Sequence, residues 1–402
     1  MFTSVPGPLV RLVTLLALLL LAACATSAPA PLAHEAALVR LPGAEQRQRV
    51  EALLKDKRLG LIVNQSSRVG KRHLVDVLLA EGHQISKLFA VEHGMFGNQD
   101  AGAALEDTHD TRRALPILSL YGKKKAPSQS DLANVDLLVF DLQDVGVRFY
   151  TYLSSLHYAM QSCARFDTPL VVLDRPNPNI AYVDGPILDP TFQSFVGMHP
   201  IPLLHGMTLG ELARMINGEG WLGKGLTCNL RVIPVANYTR HTPYALPIRP
   251  SPNLPNQSAI RLYPSLALFE ATAISVGRGT DFPFQVLGGA NKDYGSFTFT
   301  PHPVPGAALH PKLQGQPLYG QDLRTSTISG LKIEVFMDWY AKAKALRAPF
   351  LTRPDWLDKL MGTDRFRTQV EAGVSAAAIR KSWHKGLEDF KARRTPYLLY
   401  TN

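Results

Sequence analysis

The sequence predicts an α/β fold in which a Rossmann-like parallel sheet domain is followed by a smaller α+β auxiliary domain. Between about residues 45 and 240, short and continuously apolar segments alternate with segments of helical spacing. Strands that are apolar throughout are typical of a parallel sheet covered by helices on both faces. The chain of 402 residues is too long for one ordinary small core, and its 46% apolar content is that of a globular protein.

The elements of the first domain follow in order along the chain. Predicted strands are the apolar runs in RLGLIVN, SKLFAVE, LPILSLYG, VDLLVFDLQD, TPLVVLDRPNP and NLRVIPVAN. Predicted helices are AEQRQRVEALLKDK, HLVDVLLAEG, TYLSSLHYAMQSCARF and HGMTLGELARMINGEG, the last with a capping box formed by Thr208 and Glu211. Together they predict a Rossmann-like catalytic domain over residues 44–240.

The second domain is predicted from a change in composition along the chain. From about Tyr238 prolines become frequent, as in RPSPNLPNQ and HPVPGAALHP, and clean strand patterns are fewer. Helical spacing returns in GLKIEVFMDWYAKAKAL and VSAAAIRKSWHKGLEDFKARR. We therefore expect an auxiliary α+β domain over residues 241–402.

The N-terminus is predicted to be a lipoprotein signal peptide over residues 1–23, followed by an Ala- and Pro-rich tether over residues 24–43. Arg11 precedes an apolar run and then small residues, which is typical of a bacterial secretory signal. LAAC resembles a lipobox, in which the cysteine, here Cys24, receives the lipid. Ala25, rather than Asp, favours the outer membrane facing the periplasm. The alternative is an ordinary cleaved signal with a chance cysteine.

The charge and the cysteines restrict the classes of partner. The formal net charge is +10, and removing the leader with its single charged residue, Arg11, leaves about +9. Such a charge favours anionic cell-wall polymers or lipid head groups, whereas scattered basic residues do not indicate nucleic acid. Cys163 and Cys228 either pair or stay as buried thiols. No cluster has zinc spacing and no G-x-G-x-x-G follows the first strand, so no metal or cofactor is expected.

Polar side chains follow most of the predicted strands at the point where each strand ends. Ligands of an open parallel sheet bind at the carboxyl ends of its strands. The residues at these ends include Asn64, Glu92, His93, Asp141, Asp144, Arg148 and Asn177. Several carboxylates and amides around one cleft suit either a sugar or a metal ion.

Glu92 is the first catalytic candidate, in the segment FAVEHGMFGNQDAG. Its apolar approach predicts partial burial, which raises a carboxyl pKa and suits a general acid. The alternative is a solvated acid at a strand end. His93 is expected to orient Glu92, bind a metal or make a local hydrogen bond.

The segment FDLQDVGVRFYTY holds further candidates. Tyr150 can stack on a sugar face, and Arg148 can pair with a carboxylate. The alternative is that Asp144 caps the following helix and the tyrosines belong to the core. Short polar islands elsewhere add weaker candidates, which are Asp184, His205, Asn253, Arg278 and Asp281.

Eight motifs, taken in order, resemble a known family. They are EHGMFGNQDAG, LYG, VFDLQDVGVRFYTY, LDRPNP, DGP, HGMTLGELA, PSPNLP and SVGRGTDFPF, and the final PYLLY also matches. They resemble exo-β-N-acetylmuramidases of the NamZ/YbbC type, from about residue 58 to the end. The resemblance implies a Rossmann-like domain joined to an auxiliary domain, with the active site in the cleft between them. It also implies release of N-acetylmuramic acid from the non-reducing end of peptidoglycan fragments.

The resemblance implies roles for individual residues. Glu92 corresponds to the family's glutamate in E-H-G and is implied to be the general acid, while Asp141 and Asp144 belong to D-x-x-D. Asp184 stands where many members have Glu, and Val91 where many have Pro. The second carboxylate is expected to be Asp144 or Asp184. Retaining, inverting and substrate-assisted mechanisms all remain open.

Substrate binding is assigned to a wider set of side chains. We expect the lactyl carboxylate of muramic acid to be bound by Arg148 or Arg278. The predicted substrate-binding residues are His93, Asn64, Asp141, Arg148, Tyr150, Asn177, His205, Asn253, Arg278 and Asp281.

Three other functions compete with this interpretation. A metal-dependent envelope hydrolase could use Glu92, His93, Asp141, Asp144 and His205 as ligands, although the histidines lack H-x-x-x-H spacing. A non-catalytic peptidoglycan-binding lipoprotein could keep the cleft without the chemistry. Endo-cleavage, as in lysozymes, would give larger products than exo-cleavage.

Overall fold

A computed structural model describes Met1 and residues 39–401. Apart from Met1, the predicted signal peptide lies outside these described residues, as do the predicted lipidation site Cys24 and most of the predicted tether. Within residues 39–401, no helix combines the length and the apolar character that a membrane span requires.

Fourteen strands and ten helices make up the described chain. The strands are β1 Arg58–Val63, β2 Arg68–Val69, β3 Arg72–His73, β4 Gln84–Ala90, β5 Thr108–Asp110, β6 Leu115–Ser119, β7 Leu137–Asp141, β8 Leu170–Leu173, β9 Asp184–Ile187, β10 Pro202–Leu204, β11 Leu230–Ile233, β12 Val286–Gly289, β13 Phe297–Phe299 and β14 Leu318–Asp322. The helices are α1 Arg47–Leu54, α2 Leu74–Ala80, α3 Gln129–Leu132, α4 Tyr152–Arg165, α5 Leu209–Gly218, α6 Gln257–Leu266, α7 Ile333–Ala345, α8 Pro354–Met361, α9 Arg365–Glu371 and α10 Ala376–Arg394.

The central sheet has seven strands in the order β11-β8-β7-β1-β4-β6-β5. Its pairs are parallel except for β5, which runs antiparallel to β6 at one edge. The α/β class and the six predicted strands are thereby confirmed. Because β1, β4 and β7 are neighbours and parallel, the residues that follow them emerge at the same edge of the sheet.

Successive residues of the strands serve two apolar cores, one on each face of the sheet. Leu61 and Val63 of β1 belong to one core, whereas Ile62 belongs to the other. This alternation follows from the period of two in a strand, and it explains why the strands read as continuously apolar.

The part of the chain after about residue 240, here called the second region, contains a three-stranded antiparallel sheet, β12-β14-β13, and helices α6 to α10. The part before it is called the first region. Helices α7 and α10 were predicted, and the capping box of α5 is also confirmed, since Thr208 accepts from the Glu211 amide and Glu211 from the Thr208 amide. The described residues from Arg40 to Thr401 form one compact unit. The domain boundary near residue 240 and the limits of the signal peptide and tether stay predictions.

Both ends of this unit lie beside the end of β11. Leu41 pairs with Ala236 through backbone hydrogen bonds of 3.2 and 2.9 Å. The Tyr400 hydroxyl accepts from the Val235 amide at 2.9 Å and donates to the Asp174 carboxylate. The C-terminal segment therefore returns to the first region and packs there.

Candidate active site

A cavity of about 580 Å³ opens between the first region and the second. Two stretches of the first region line it, near residues 92–151 and 194–196, and residues 251–360 supply the rest. The polar and charged residues of its wall are Glu92, His93, Tyr121, Tyr150, Thr151, Ser194, Ser251, Asn253, Tyr263, Glu270, Arg278, Arg353 and Lys359. The cavity thus joins the end of β4 to the auxiliary part of the chain.

The turn after β4 places Glu92 and His93 in the cavity wall. His93 has a φ of 71°, and Gly97 has a φ of 61°. Gly97 also lies against Gln65, where an added Cβ would come within 2.3 Å of the Gln65 side chain. The positive φ and this close approach together explain the glycine in the segment.

Three donors hold the Glu92 carboxylate. The Tyr121 hydroxyl donates to Oε1 at 2.9 Å, and the Gly102 amide donates to the same oxygen at 3.1 Å. The Thr151 hydroxyl donates to Oε2. Glu92 is half-buried, as expected from its apolar approach, and its carboxylate is oriented by groups from three separate segments.

His93 makes the local hydrogen bond that was one of its three expected roles. Its Nδ1 lies 2.9 Å from the Gln99 carbonyl oxygen, which only accepts, so Nδ1 carries the proton. Burial lowers the His93 pKa and outweighs the opposing charge of Glu92. The imidazole is therefore neutral near pH 7, with Nε2 as an acceptor.

Aromatic rings form a continuous part of the wall. Tyr263 contacts Phe149, Tyr150 and Phe284 edge to face, at centroid distances of 5.4, 6.3 and 4.9 Å. Trp356 adds a further ring to the lining. Such surfaces suit the apolar face of a sugar ring.

Glu270 is a second carboxylate of this cavity, and sequence reasoning missed it. The Arg278 Nε donates to Glu270 Oε1 at 2.9 Å. The Glu270 side chain is 28% exposed and the Arg278 side chain is 24% exposed. Burial opposes ionisation of Glu270, but the charge and hydrogen bond of Arg278 outweigh it, so the Glu270 pKa lies below its usual value. Glu270 is therefore ionised across the physiological range.

Three cations face these two carboxylates. Arg278 stacks on Phe284, with its guanidinium carbon 4.9 Å from the ring centroid. Arg353 and Lys359 are exposed and line the same cavity. The wall therefore carries one more positive charge than negative, which suits an anionic ligand.

The two carboxylates predicted as partners of Glu92 do not line the cavity. Asp144 is fully buried and accepts from the Gly146 amide at 2.6 Å, and burial raises its pKa to about 7. Asp184 forms an ion pair of 2.8 Å with Arg380 of α10. The alternative interpretation is wrong for Asp144, because Thr151 holds the N-cap position of α4, but it is right that Tyr150 and Tyr152 belong to the buried core.

Arg148 lies in the interior of the protein and not in the cavity wall. It is 1% exposed and donates to the carbonyl oxygens of Pro186, Ile201 and Leu360 at 2.9, 2.7 and 3.0 Å. Burial lowers its pKa to about 9. A charged side chain in a strand-end motif was expected to face a ligand, but this one joins three segments inside the protein.

The remaining predicted ligands lie in the cavity wall, in the interior or, in the case of Asp281, on the exposed surface. Tyr150 and Asn253 line the cavity, although the side-chain Nδ2 of Asn253 already donates to the Ala307 carbonyl oxygen at 2.8 Å. Asp281 is exposed and lies outside the lining. The other four make hydrogen bonds in the interior of the protein. The pairs are Asn64 with Tyr152, Asp141 with Arg175, Asn177 with the Met207 carbonyl oxygen, and His205 with the Met207 backbone amide.

The five proposed metal ligands do not converge. Within the described part of the chain, the one cluster with suitable geometry is Glu51, Glu81 and His83 at the opposite end of the sheet. Glu81 there already pairs with Arg47. The geometry of the cavity therefore favours a carbohydrate over a metal ion.

Comparison with known proteins agrees with this geometry. The family model for exo-β-N-acetylmuramidase NamZ, N-terminal, matches residues 59–258, and the model for its C-terminal part matches residues 261–400. The chain is 37% identical over 376 residues to the peptidoglycan β-N-acetylmuramidase NamZ of Bacillus subtilis (strain 168), covering 86% of this chain and 88% of that protein.

Solved structures extend the likeness to the whole fold. Two DUF1343 family proteins from Bacteroides fragilis NCTC 9343 superpose with TM-scores of 0.82 and 0.77, at 43% and 26% identity. Each comparison covers 90% of this chain and 99% of the solved one. The chain belongs to the exo-β-N-acetylmuramidase NamZ family.

Proposed function

We propose that this protein is an exo-acting glycoside hydrolase that releases N-acetylmuramic acid from the non-reducing end of peptidoglycan fragments. The observation that carries the proposal is Glu92, held by three donors in the wall of an aromatic-lined cavity, in a chain of the NamZ family. The alternatives of a binding lipoprotein and a metal-dependent hydrolase have no comparable support.

Glu92 supplies the acid of the reaction. In its protonated form it transfers its proton to the glycosidic oxygen as the bond from that oxygen to C1 breaks. Without this proton the leaving group would depart as an alkoxide, which is why glycosidases place a carboxylic acid at this position. The hydrogen bonds from Tyr121, Thr151 and Gly102 hold the carboxyl group in one orientation throughout.

Arg278 is the group that selects a muramoyl sugar. Within residues 39–401 its Nε is bound to Glu270, while Nη1 and Nη2 make no hydrogen bond. Two parallel donors on a guanidinium match the geometry of a carboxylate, and the lactyl group supplies one. The nearby charges of Arg353 and Lys359 reinforce attraction for an anion.

The test uses residues 25–402, which lack Cys24, with a MurNAc–GlcNAc disaccharide and a chromogenic MurNAc glycoside. Mass spectrometry should detect free MurNAc from the wild type and at least about 10²-fold less from Glu92→Gln. Asp184→Asn is the matched control, because it removes a carboxylate outside the cavity, and it should stay within about threefold of the wild type. A folded wild type that releases no MurNAc from either substrate would refute the proposal.

We further propose that the protein is lipid-anchored through Cys24 in the bacterial outer membrane, facing the periplasm. The leader composition, the lipobox-like LAAC and Ala25 support this proposal. Cells fed labelled palmitate should label the wild type and not Cys24→Ala, and Ala25→Asp should move the protein to the inner-membrane fraction. Labelling of Cys24→Ala would contradict the assignment.

A further inference from the structure

We propose that Glu270 is the second catalytic carboxylate of this enzyme, acting at the anomeric carbon from the face opposite the leaving group. The proposal rests on the proposed function. It replaces the two aspartates predicted from the sequence, neither of which reaches the cavity.

The first argument is the count of acids. Glycosidases that use two protein carboxylates place both beside the scissile bond. Among the described residues, Glu92 and Glu270 are the carboxylates that line the cavity of about 580 Å³. They come from separate segments of the chain, Glu92 from the turn after β4 and Glu270 from the turn of helix over Ala267–Ala271.

The second argument is the position of Glu270 at a junction. A neighbouring cavity of about 410 Å³ shares four wall residues with the first, namely Ala101, Glu270, Arg278 and Arg353. A bond between two sugars needs space for a ring on each side. Glu270 lies where the two spaces meet, as expected for a group beside the bond that is cleaved.

The third argument is how Glu270 is held. Its Oε1 accepts from Arg278, whereas Oε2 makes no hydrogen bond within residues 39–401 and is available to a ligand. The half-buried Lys312 ammonium donates to the carbonyl oxygens of Phe269 and Ile274, each at 3.1 Å, and also to that of Thr272. Lys312 thereby fixes the backbone that carries Glu270, which preorganises the carboxylate.

The chemistry balances with these two groups. The C1–O bond breaks with its electron pair leaving on the aglycone oxygen, which receives the Glu92 proton. The new bond to C1 forms from the opposite face, either to Glu270 Oε2 or to a water oxygen whose proton Glu270 accepts. In the first case, a water oxygen then attacks C1 while Glu92 takes a proton from that water, and the C1–Oε2 bond breaks with its electron pair returning to Glu270. In the second case, proton exchange with solvent returns Glu270 to the carboxylate and Glu92 to the acid.

The experiment compares Glu270→Ala with the wild type in the presence and absence of azide, using an activated MurNAc glycoside. Glu270→Ala should lower kcat about 10²–10⁴-fold while its Kd for MurNAc stays within about fivefold of the wild-type value. Azide should restore turnover and give the α-configured glycosyl azide, because it enters the space of the missing carboxylate opposite a β leaving group. Glu334→Ala, which removes a carboxylate paired with Arg380 outside the cavity, is the control.

The outcomes separate this proposal from the proposed function. If the wild type is active, three results would each overturn the role of Glu270 alone. They are full activity of Glu270→Ala, a β-configured azide product, and no rescue by azide. A wild type that releases no MurNAc would overturn both.

Discussion

The hydroxyl of Tyr121 lies 2.9 Å from Oε1 of Glu92 and donates a hydrogen bond to it. Tyr121 follows β6 and Glu92 follows β4, and the two strands are parallel neighbours. The sheet therefore sets the distance between the candidate acid and one of its donors.

Replacing Tyr121 by Phe should lower kcat about tenfold, because the carboxyl group of Glu92 loses one of three orienting hydrogen bonds worth roughly 1–2 kcal/mol. KM should change little, since the ring and its contact with Phe195 remain. Steady-state kinetics on a MurNAc glycoside measures both values. Tyr340→Phe, on α7, is the matched control, and an equal loss in both variants would contradict the role of Tyr121.

Replacing Arg278 by Lys should weaken binding of MurNAc far more than binding of GlcNAc, because only MurNAc carries the lactyl carboxylate. Inhibition constants for the two free sugars give the comparison. We expect the inhibition constant for GlcNAc divided by that for MurNAc to fall by about tenfold or more, corresponding to at least roughly 1.4 kcal/mol. Equal losses for both sugars would contradict the assignment.

Arg148→Lys is the informative counterpart of that substitution. It should leave the ratio of inhibition constants unchanged and lower the free energy of unfolding by about 1–3 kcal/mol, since three buried carbonyl oxygens lose their shared donor group. Urea unfolding measures the loss. A change of sugar selectivity would show that Arg148 reaches the substrate after all.

The buried Asp144 should make the protein less stable as the pH rises. Its pKa is raised from 3.8 to about 7, so its contribution to stability is fully present below about pH 4 and is lost as the pH passes 7. Between pH 5 and 8.5 this loss amounts to roughly 2–3 kcal/mol. Asp144→Asn should reduce the difference in unfolding free energy between these two pH values. If Asp144→Asn leaves this difference in unfolding free energy unchanged, the pH dependence does not come from Asp144.

Cys163 and Cys228 should behave as two buried thiols. Both are free and buried in the structure, and the contact between them, together with burial, raises the pKa of Cys163. Residues 25–402 should resist iodoacetamide when native and gain two adducts in urea, as read by mass spectrometry. A protein that gains no adducts in urea until it is reduced would instead contain a disulfide.

The α/β class and the predicted strands were readable because a buried parallel sheet demands continuous apolar runs. Glu92 was found for the same reason, since it interrupts such a run. Glu270 carries no comparable signal, because it lies in the apolar segment ALFEA, outside any predicted element. Only the contact between distant segments brings it to the cavity.

Two other misses have distinct physical causes. Helix α6 contains Pro264, which reads as a helix breaker, although its Asn256 cap could have signalled the start. Arg148 was expected near a ligand because it follows the end of a predicted strand and its guanidinium can pair with a carboxylate. Here three backbone carbonyl oxygens satisfy its donors, and no local pattern in the sequence indicates such a tertiary arrangement.

Both ends of the compact unit lie beside the end of β11, which makes the fold suited to circular permutation. Leu41 and Tyr400 contact the neighbouring residues Ala236 and Val235, so a short peptide can join the two ends without crossing the cavity. New ends opened in an exposed loop would then separate this compact unit from the residues that precede Leu41. A reporter fused after Tyr400 would, by the same geometry, begin close to Leu41.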